Sequence, residues 1–190
     1  VALLQRYGVP AHASPSMTSI HKPCELPDPD GFSGIIMTSR NAVDAITKLG
    51  QESVSAWTKM PAFVVGAASA AAARDAGFSN ITIGTGGGVG LLPPICRYIN
   101  DRISKQDDGK LPLFWPSAAE ISFDMVAGLT GHGIRVQRLP VYQMIANDKL
   151  DKATMDKIGK GAIAAVVAMS SRSIWVFQKN LDAAGKGSSL

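Results

Sequence analysis

The sequence predicts an α/β protein, and three observations carry that prediction. Short apolar runs rich in β-branched residues alternate with helical patterns along most of the chain, and glycines close the helical patterns. Hydrophobic residues make up 46% of the 190, enough to build cores on both faces of such strands and to exclude intrinsic disorder. This length suits one large domain or two small ones.

Residues 1–8 read as the last turns of an amphipathic helix, with Leu3, Leu4 and Tyr7 on one face and Gly8 as its cap. A helix that opens the chain without an N-cap implies a beginning upstream, so no signal or transit segment is read from this end. Residues 33–37 form a strand pattern. Residues 41–49 form a helix carrying Val43, Ile46 and Leu49 on one face and closed by Gly50. A second strand spans 62–66, followed by an alanine-rich helix over 69–76 that stops at Gly77, and a third strand spans 80–83. Pro93 and Pro94 suit the first turn of a helix bearing Ile95, Tyr98, Ile99 and Ile103. Residues 111–115 are strand-like despite Pro112, and 120–129 are helical up to Gly131 or Gly133. Residues 135–145 are a long β-type run, 162–169 another buried strand, and the tail from Gly185 is polar.

Two extended segments break the alternation, 11–21 and 135–145, and about 115 residues with a complete α/β pattern lie between them. The expected architecture is therefore two similar α/β domains with parallel sheets, joined by a two-stranded antiparallel ladder. Residues 1–20 with 143–190 would form a discontinuous domain, truncated at both ends, and 24–138 the other. Residues 11–23 and 135–146 would be the linker strands.

Several function classes are excluded or made poor fits. The apolar run 163–169 falls far short of the roughly 20 residues that a membrane span needs. Cys24 and Cys96 form no C-x-x-C pair, and His12, His21 and His132 form no ligand cluster, so no metal site is expected. A net charge of +4 suits a binder of anions. Nucleic acid fits poorly, because the basic residues are scattered and aromatics are 6%.

The most specific feature is a self-match. Met37-Thr38-Ser39-Arg40 recurs as Met169-Ser170-Ser171-Arg172, 132 residues further on, each expected to end a strand and open a helix. Both copies place two hydroxyls and an arginine where a helix start exposes N–H groups and the positive end of its dipole. Anions bind there in α/β folds. The same hydroxyls are also what an ordinary N-cap requires, so capping and binding both remain open for each copy.

Val65-Gly66 leads into another such junction, with Gly66 allowing close backbone approach and Ser69 as its N-cap. The loop Gly84–Gly90 fails the G-x-G-x-x-G register and has no Lys-Ser or Lys-Thr after it. It reads as a mobile connector or a cleft-edge flap rather than a dinucleotide site. Ser117 either caps the next helix or meets a ligand. Tyr142 points its phenol to the side of its strand opposite Val141 and is either half-buried or turned into a cleft. Trp57, Phe63, Phe78 and Phe123 read as core or sheet-covering residues, His132 as a turn, and Asp28-Pro29-Asp30 as a linker turn.

Four ordered elements resemble the uroporphyrinogen-III synthase family. They are a strand followed by Thr38-Ser39-x-Asn41-Ala42-Val43, then Val65-Gly66-x-x-Ser69-Ala70 with its helix ending Ala76-Gly77. The third is a helix into Gly133-x-x-Val136 and Leu139-Pro140-Val141-Tyr142, and the last is the Ser170-Ser171 junction. The family usually has Thr at the position of Ser69. Its members begin with a further strand and a Thr-Arg-Pro-like loop and end with a second Gly-x-x-Thr turn, which are missing here.

The resemblance implies a cytoplasmic monomer that binds hydroxymethylbilane and needs no cofactor. It implies cyclisation to uroporphyrinogen III with loss of water and inversion of ring D. Thr38, Ser39, Arg40, Asn41, Gly66, Ser69, Ser117, Ser170 and Ser171 are then the candidate substrate contacts, and Tyr142 the candidate proton donor. The alternative is a non-catalytic tetrapyrrole- or anion-binding regulatory module of the same fold.

Overall fold

Three of the apolar runs become strands with scarcely a polar position, as strands covered on both faces must. The computed structural model describes residues 2–104, 111–168 and 170–187. The chain runs through α1 (Ala2–Arg6), β1 (Met17–His21), β2 (Gly34–Met37), α2 (Arg40–Thr47), α3 (Gln51–Ser55), β3 (Ala62–Val65) and α4 (Gly66–Asp75). It continues through β4 (Ile81–Gly84), α5 (Leu92–Ser104), β5 (Leu113–Ala118), α6 (Met125–Thr130), β6 (Val136–Ala146), α7 (Lys152–Gly159) and α8 (Ser171–Ala183).

The strands form one six-stranded sheet in the order β1-β6-β5-β2-β3-β4. The contacts from β6 through β4 are parallel, with Ile36 opposite Phe63, Ile35 opposite Phe114 and Trp115 opposite Arg138. β1 runs antiparallel to β6. The Lys22 N–H donates to the Val141 carbonyl at 2.8 Å and the Asn147 N–H to that of Ser16 at 2.9 Å, so partner numbers fall on one strand as they rise on the other.

By spatial proximity the chain separates into two compact units, Val1–Thr18 with Met144–Leu190, and Ser19–Gln143. The larger unit is a sheet between two helical layers. On one face Ile36, Phe63, Leu113 and Trp115 pack with Leu91, Ile95 and Ile99 of the α5 region and Met125 and Leu129 of α6. On the other, α2 and α4 lie over the sheet and against each other, with Val43, Ile46, Ala70 and Ala73 buried. Phe32, Trp57 and Phe114 stack there as a tilted trio with ring centroids 4.8 to 5.4 Å apart.

The smaller unit is built on Leu150, Ile158, Phe177 and Leu181, with Met155 and Ile163 against them. Polar clips tie its N-terminal segment to α7 and α8. The Ser14 hydroxyl donates to Asp151 at 3.0 Å, His12 Nε2 lies 3.0 Å from the Thr154 hydroxyl, and the Ser16 hydroxyl donates to the Ser173 carbonyl at 3.0 Å. Asp151 caps α7 by accepting from the Thr154 N–H at 2.9 Å. Donation from Thr154, and then from Ser14 and His12, holds its carboxyl well below the usual carboxylate range.

The structure corrects several expectations. Two parallel sheets were expected and one six-stranded sheet is present. Residues 162–168 form no strand, and all but the half-buried Ile163 are exposed. An apolar run becomes a strand only when a neighbour takes its N–H and C=O groups, and among the described residues of that unit no parallel strand lies beside it. Met169 lies outside the described residues.

The helix expected over 120–129 shortens to Met125–Thr130, because the Asp124 side chain accepts from the N–H groups of Val126 and Ala127 at 2.9 and 3.1 Å and starts the helix there. Ser117 caps nothing; it is buried inside β5. Ser69 is no N-cap either, since α4 starts at Gly66 and Val65 occupies the cap position. Tyr7, just after α1, is 79% exposed, and Ile103 near the end of α5 is 58% exposed. α3 and α7 carried no prediction.

Two outcomes follow for stability. Phe114→Ala removes one ring of the trio, in contact with both others, and is expected to cost about 3–5 kcal/mol, read as a lower urea midpoint at unchanged slope. Asp151 has a folded-state pKa below its unfolded value of about 3.9, so its contribution is present above that pH and fades as the pH falls toward the folded value. Asp151→Asn keeps the capping oxygen and is expected to flatten the decline of the urea midpoint between about pH 4 and about pH 2.

Candidate functional site

The order of the parallel strands reverses at β2. From β2 the chain builds outward through β3 and β4, then returns to lay β5 on the other flank of β2 and β6 beyond it. The helices that follow are thereby sent to opposite faces, α2 to one and α6 to the other, and they diverge beyond the C-terminal ends of β2 and β5. α/β sheets bind ligands at this crevice. A cavity of about 170 Å³ lies there.

Its walls come from five places in the larger unit. Thr38 and Ser39 follow β2, Val65 ends β3, and Trp115, Ala118 and residues 120–123 follow along and beyond β5. Gly87 and Gly88 of the glycine loop and Tyr142 of β6 complete it. Four lining residues carry hydroxyls, Thr38, Ser39, Ser122 and Tyr142, and one carries a carboxylate, Glu120; none of the lining residues is basic.

Ser39 has extended backbone dihedrals, φ −153° and ψ 156°, as an N-cap requires, and its hydroxyl accepts from the Ala42 N–H at 3.2 Å. The same oxygen lies 2.7 Å from the Tyr142 hydroxyl. Tyr142 is 5% exposed, so its ring is fixed in the wall while its polar end reaches the cavity. Trp115 Nε1 donates to the Thr38 hydroxyl over a long 3.4 Å.

Behind this wall stands Arg138, directly across the ladder from Trp115 and stacked on its ring at 5.5 Å. Its Nε donates to the Ser117 hydroxyl at 2.9 Å, and one Nη to the carbonyls of Ala118 and Ala119 at 2.9 and 2.8 Å. The need is local. Pro140 brings no N–H to the ladder, the register slips between Ser117 and Ala118, and the guanidinium takes over the carbonyls there. The Ala119 N–H donates to the Tyr142 carbonyl at 2.7 Å, which ties that corner to the tyrosine.

The remaining candidates stand elsewhere. Arg40 points to solvent, its side chain 68% exposed, and pairs with Asp44 at 3.5 Å on its own helix. Asn41 is half-buried one residue further along α2 and, like Arg40, is not part of the cavity wall. Gly66 has φ +73°, and a Cβ there would meet nothing within 4 Å, so its backbone turn rather than close approach demands glycine. Ser69 is buried in the first turns of α4, and the Ser117 hydroxyl is occupied by Arg138 and by its own donation to the Ala118 carbonyl. Neither lines the cavity.

In the smaller unit Ser170 caps α8, with φ −157° and ψ 154°, accepting from the Ser173 N–H at 3.1 Å, and Ser171 is the first helical residue; both are exposed. The sequence repeat aligns Thr38 with Ser170, whereas the caps are Ser39 and Ser170. The repeated letters and the repeated geometry are thus out of step by one residue. Among the described residues no group of three or more His, Cys, Asp or Glu side chains is arranged to hold a metal ion.

The family model described as Uroporphyrinogen-III synthase HemD matches residues 1–189. The chain belongs to the uroporphyrinogen-III synthase family. Its fold is similar to the crystal structure of uroporphyrinogen-III synthetase from Helicobacter pylori 26695, with a TM-score of 0.54 and 21% identity over 74% of this chain. It spans 58% of the length of that protein. It is similar also to a mutant uroporphyrinogen III synthase from Thermus thermophilus, with a TM-score of 0.52 and 16% identity over 94% of this chain and 71% of the other. No curated protein sequence matches it.

Sequence reasoning missed two parts of this candidate site. Arg138 and Trp115 meet only through strand pairing, and nothing local in either segment announces it. Residues 120–123 line the cavity because their helix starts late, a fact carried in the sequence by Asp124. The glycine loop, which the sequence reads as a mobile connector or a cleft-edge flap, supplies Gly87 and Gly88 to the wall, and a Cβ on Gly88 would come within 2.9 Å of the Phe123 ring.

The Ser39–Tyr142 bond is testable without turnover. In a cycle of Ser39→Ala, Tyr142→Phe and the double variant, the hydroxyls are expected to couple by about 0.5–1.5 kcal/mol in urea unfolding. Ser39→Ala alone is expected to lose about 1 kcal/mol more, from the uncapped start of α2.

Proposed function

We propose that this chain cyclises hydroxymethylbilane to uroporphyrinogen III with loss of water and inversion of ring D. Membership of the family supports the reading, and one observation carries it to particular atoms. At the strand-order reversal, a buried phenol is hydrogen-bonded at 2.7 Å to a helix-capping hydroxyl inside a cavity.

The chemistry suits such a wall. Electron-rich pyrroles supply the push that breaks the hydroxymethyl C–O bond, and the departing hydroxide leaves as water once it gains a proton. The azafulvenium so formed is attacked by the substituted α-carbon of ring D, giving a spiro intermediate. That intermediate fragments and recloses with ring D inverted, and loss of the α-proton restores the pyrrole. Without an enzyme the chain closes head to tail to the type I isomer. The protein's task is thus to hold one near-attack arrangement of a flexible chain and shut out the other.

Each residue has a part in this reading. Tyr142 donates the proton to the leaving hydroxyl, and Ser39, bonded to the phenol, holds it in place. Thr38, with the N–H groups of the first turn of α2, takes substrate carboxylates there, where the helix dipole favours negative charge. Ser170 and Ser171 take others at the start of α8. Hydroxyls and helix starts bind anions without fixed positive charge in the wall, which fits a cavity whose lining residues include no cation.

Freshly made hydroxymethylbilane, incubated with the protein and oxidised, is expected to yield type III porphyrin in excess over type I. Type I alone at any protein concentration sinks the reading. Saturable tetrapyrrole binding with an unchanged isomer ratio points instead to the non-catalytic module. Tyr142→Phe is expected to lower kcat by about 10²-fold, the lower end of what a general acid contributes, with KM little changed.

A further inference from the structure

Among its described lining residues the cavity has a carboxylate and no cation, yet a guanidinium stands one layer behind them. Arg138 is half-buried, and its described partners are all neutral: one hydroxyl, two carbonyls and the face of Trp115. A half-buried charge without a counter-ion is unfavourable, and arginines in that position usually face a carboxylate. Two of the groups that Arg138 touches, Trp115 and Ala118, are themselves cavity wall. Glu120 on the rim is exposed, so water and salt screen its charge more than they screen that of Arg138.

We propose that Arg138 is a positioning residue of the site, whose uncompensated charge draws a carboxylate of the substrate into the cavity while its planar fork holds the β5 corner in shape. The proposal rests on the functional reading above for the identity of the anion. The two roles belong to different parts of one side chain. The field needs only the positive charge behind Trp115. The shape needs coplanar donors, because the Ser117 hydroxyl and the carbonyls of Ala118 and Ala119 converge on Nε and one Nη, which an ammonium cannot span. Through the Ala119 N–H the corner reaches the backbone of Tyr142, so a loosened fork displaces the phenol as well.

Two variants separate the roles. Arg138→Gln removes the charge but keeps amide donors, and Arg138→Lys keeps the charge but breaks the fork. KM and kcat for hydroxymethylbilane are measured at low and moderate sodium chloride, with the folded fraction of each variant fixed by urea unfolding. In the wild type KM is expected to rise with salt. Arg138→Gln is expected to raise KM about tenfold at low salt and to flatten that salt dependence. Arg138→Lys is expected to keep the salt dependence and lose kcat.

The same proteins are titrated with uroporphyrin III, an octacarboxylate, by quenching of tryptophan fluorescence, which needs no turnover. Wild-type salt dependence retained in Arg138→Gln overturns the proposal, as does equal loss in both variants in proportion to unfolded protein. A wild type that binds uroporphyrin III through Arg138 but forms no type III product overturns the functional reading and leaves this one standing.

Discussion

The pairing of β2 with β5 is the constraint on which the rest of the larger unit depends. A right-handed crossover from a parallel strand has one way to pack back on the sheet, so reversing the direction of strand addition must change the face that the helices cover. β2 and β5 are the neighbours between which the change occurs. Their C-terminal ends are left uncovered by either helical layer, and that gap is the cavity. No special loop is needed to open it.

Side chains at the gap serve twice. Ser39 completes the first turn of α2 and also bonds the phenol of Tyr142, so the stability of a helix and the placement of a candidate acid share one oxygen. Arg138 repairs a ladder that Pro140 has interrupted and also sets a charge behind the wall. Such sharing explains why a small cavity can be well defined with few polar groups. Each is held by a requirement of the fold before any ligand arrives, which is what preorganisation means physically.

The smaller unit shows how far a repeated motif can be trusted. The second Ser-Ser-Arg copy does open a helix, with cap dihedrals within a few degrees of those at Ser39. Among the described residues before it, 162–168 form no strand. A cap needs only its own four or five residues, whereas a strand needs a partner, and the partner is not among the described residues there.

Helix starts at Arg40 and Ser171, the strands around Ile36, Val64 and Ile83, and the extended run through Tyr142 were legible in the sequence by itself. Their signals are local: an apolar period, a capping hydroxyl, a closing glycine. Asp124 carried such a signal for the late start of α6 and was overlooked. Only the tertiary structure decided that Thr38, Ser39 and Tyr142 share one cavity while Arg40, Ser69 and Ser117 stand outside it. It alone set Arg138 against Trp115 and left residues 162–168 unpaired. Local patterns fix what a segment prefers, but strand register and strand order settle which distant side chains meet. Those depend on the burial of the whole sheet at once, which no short stretch of residues encodes.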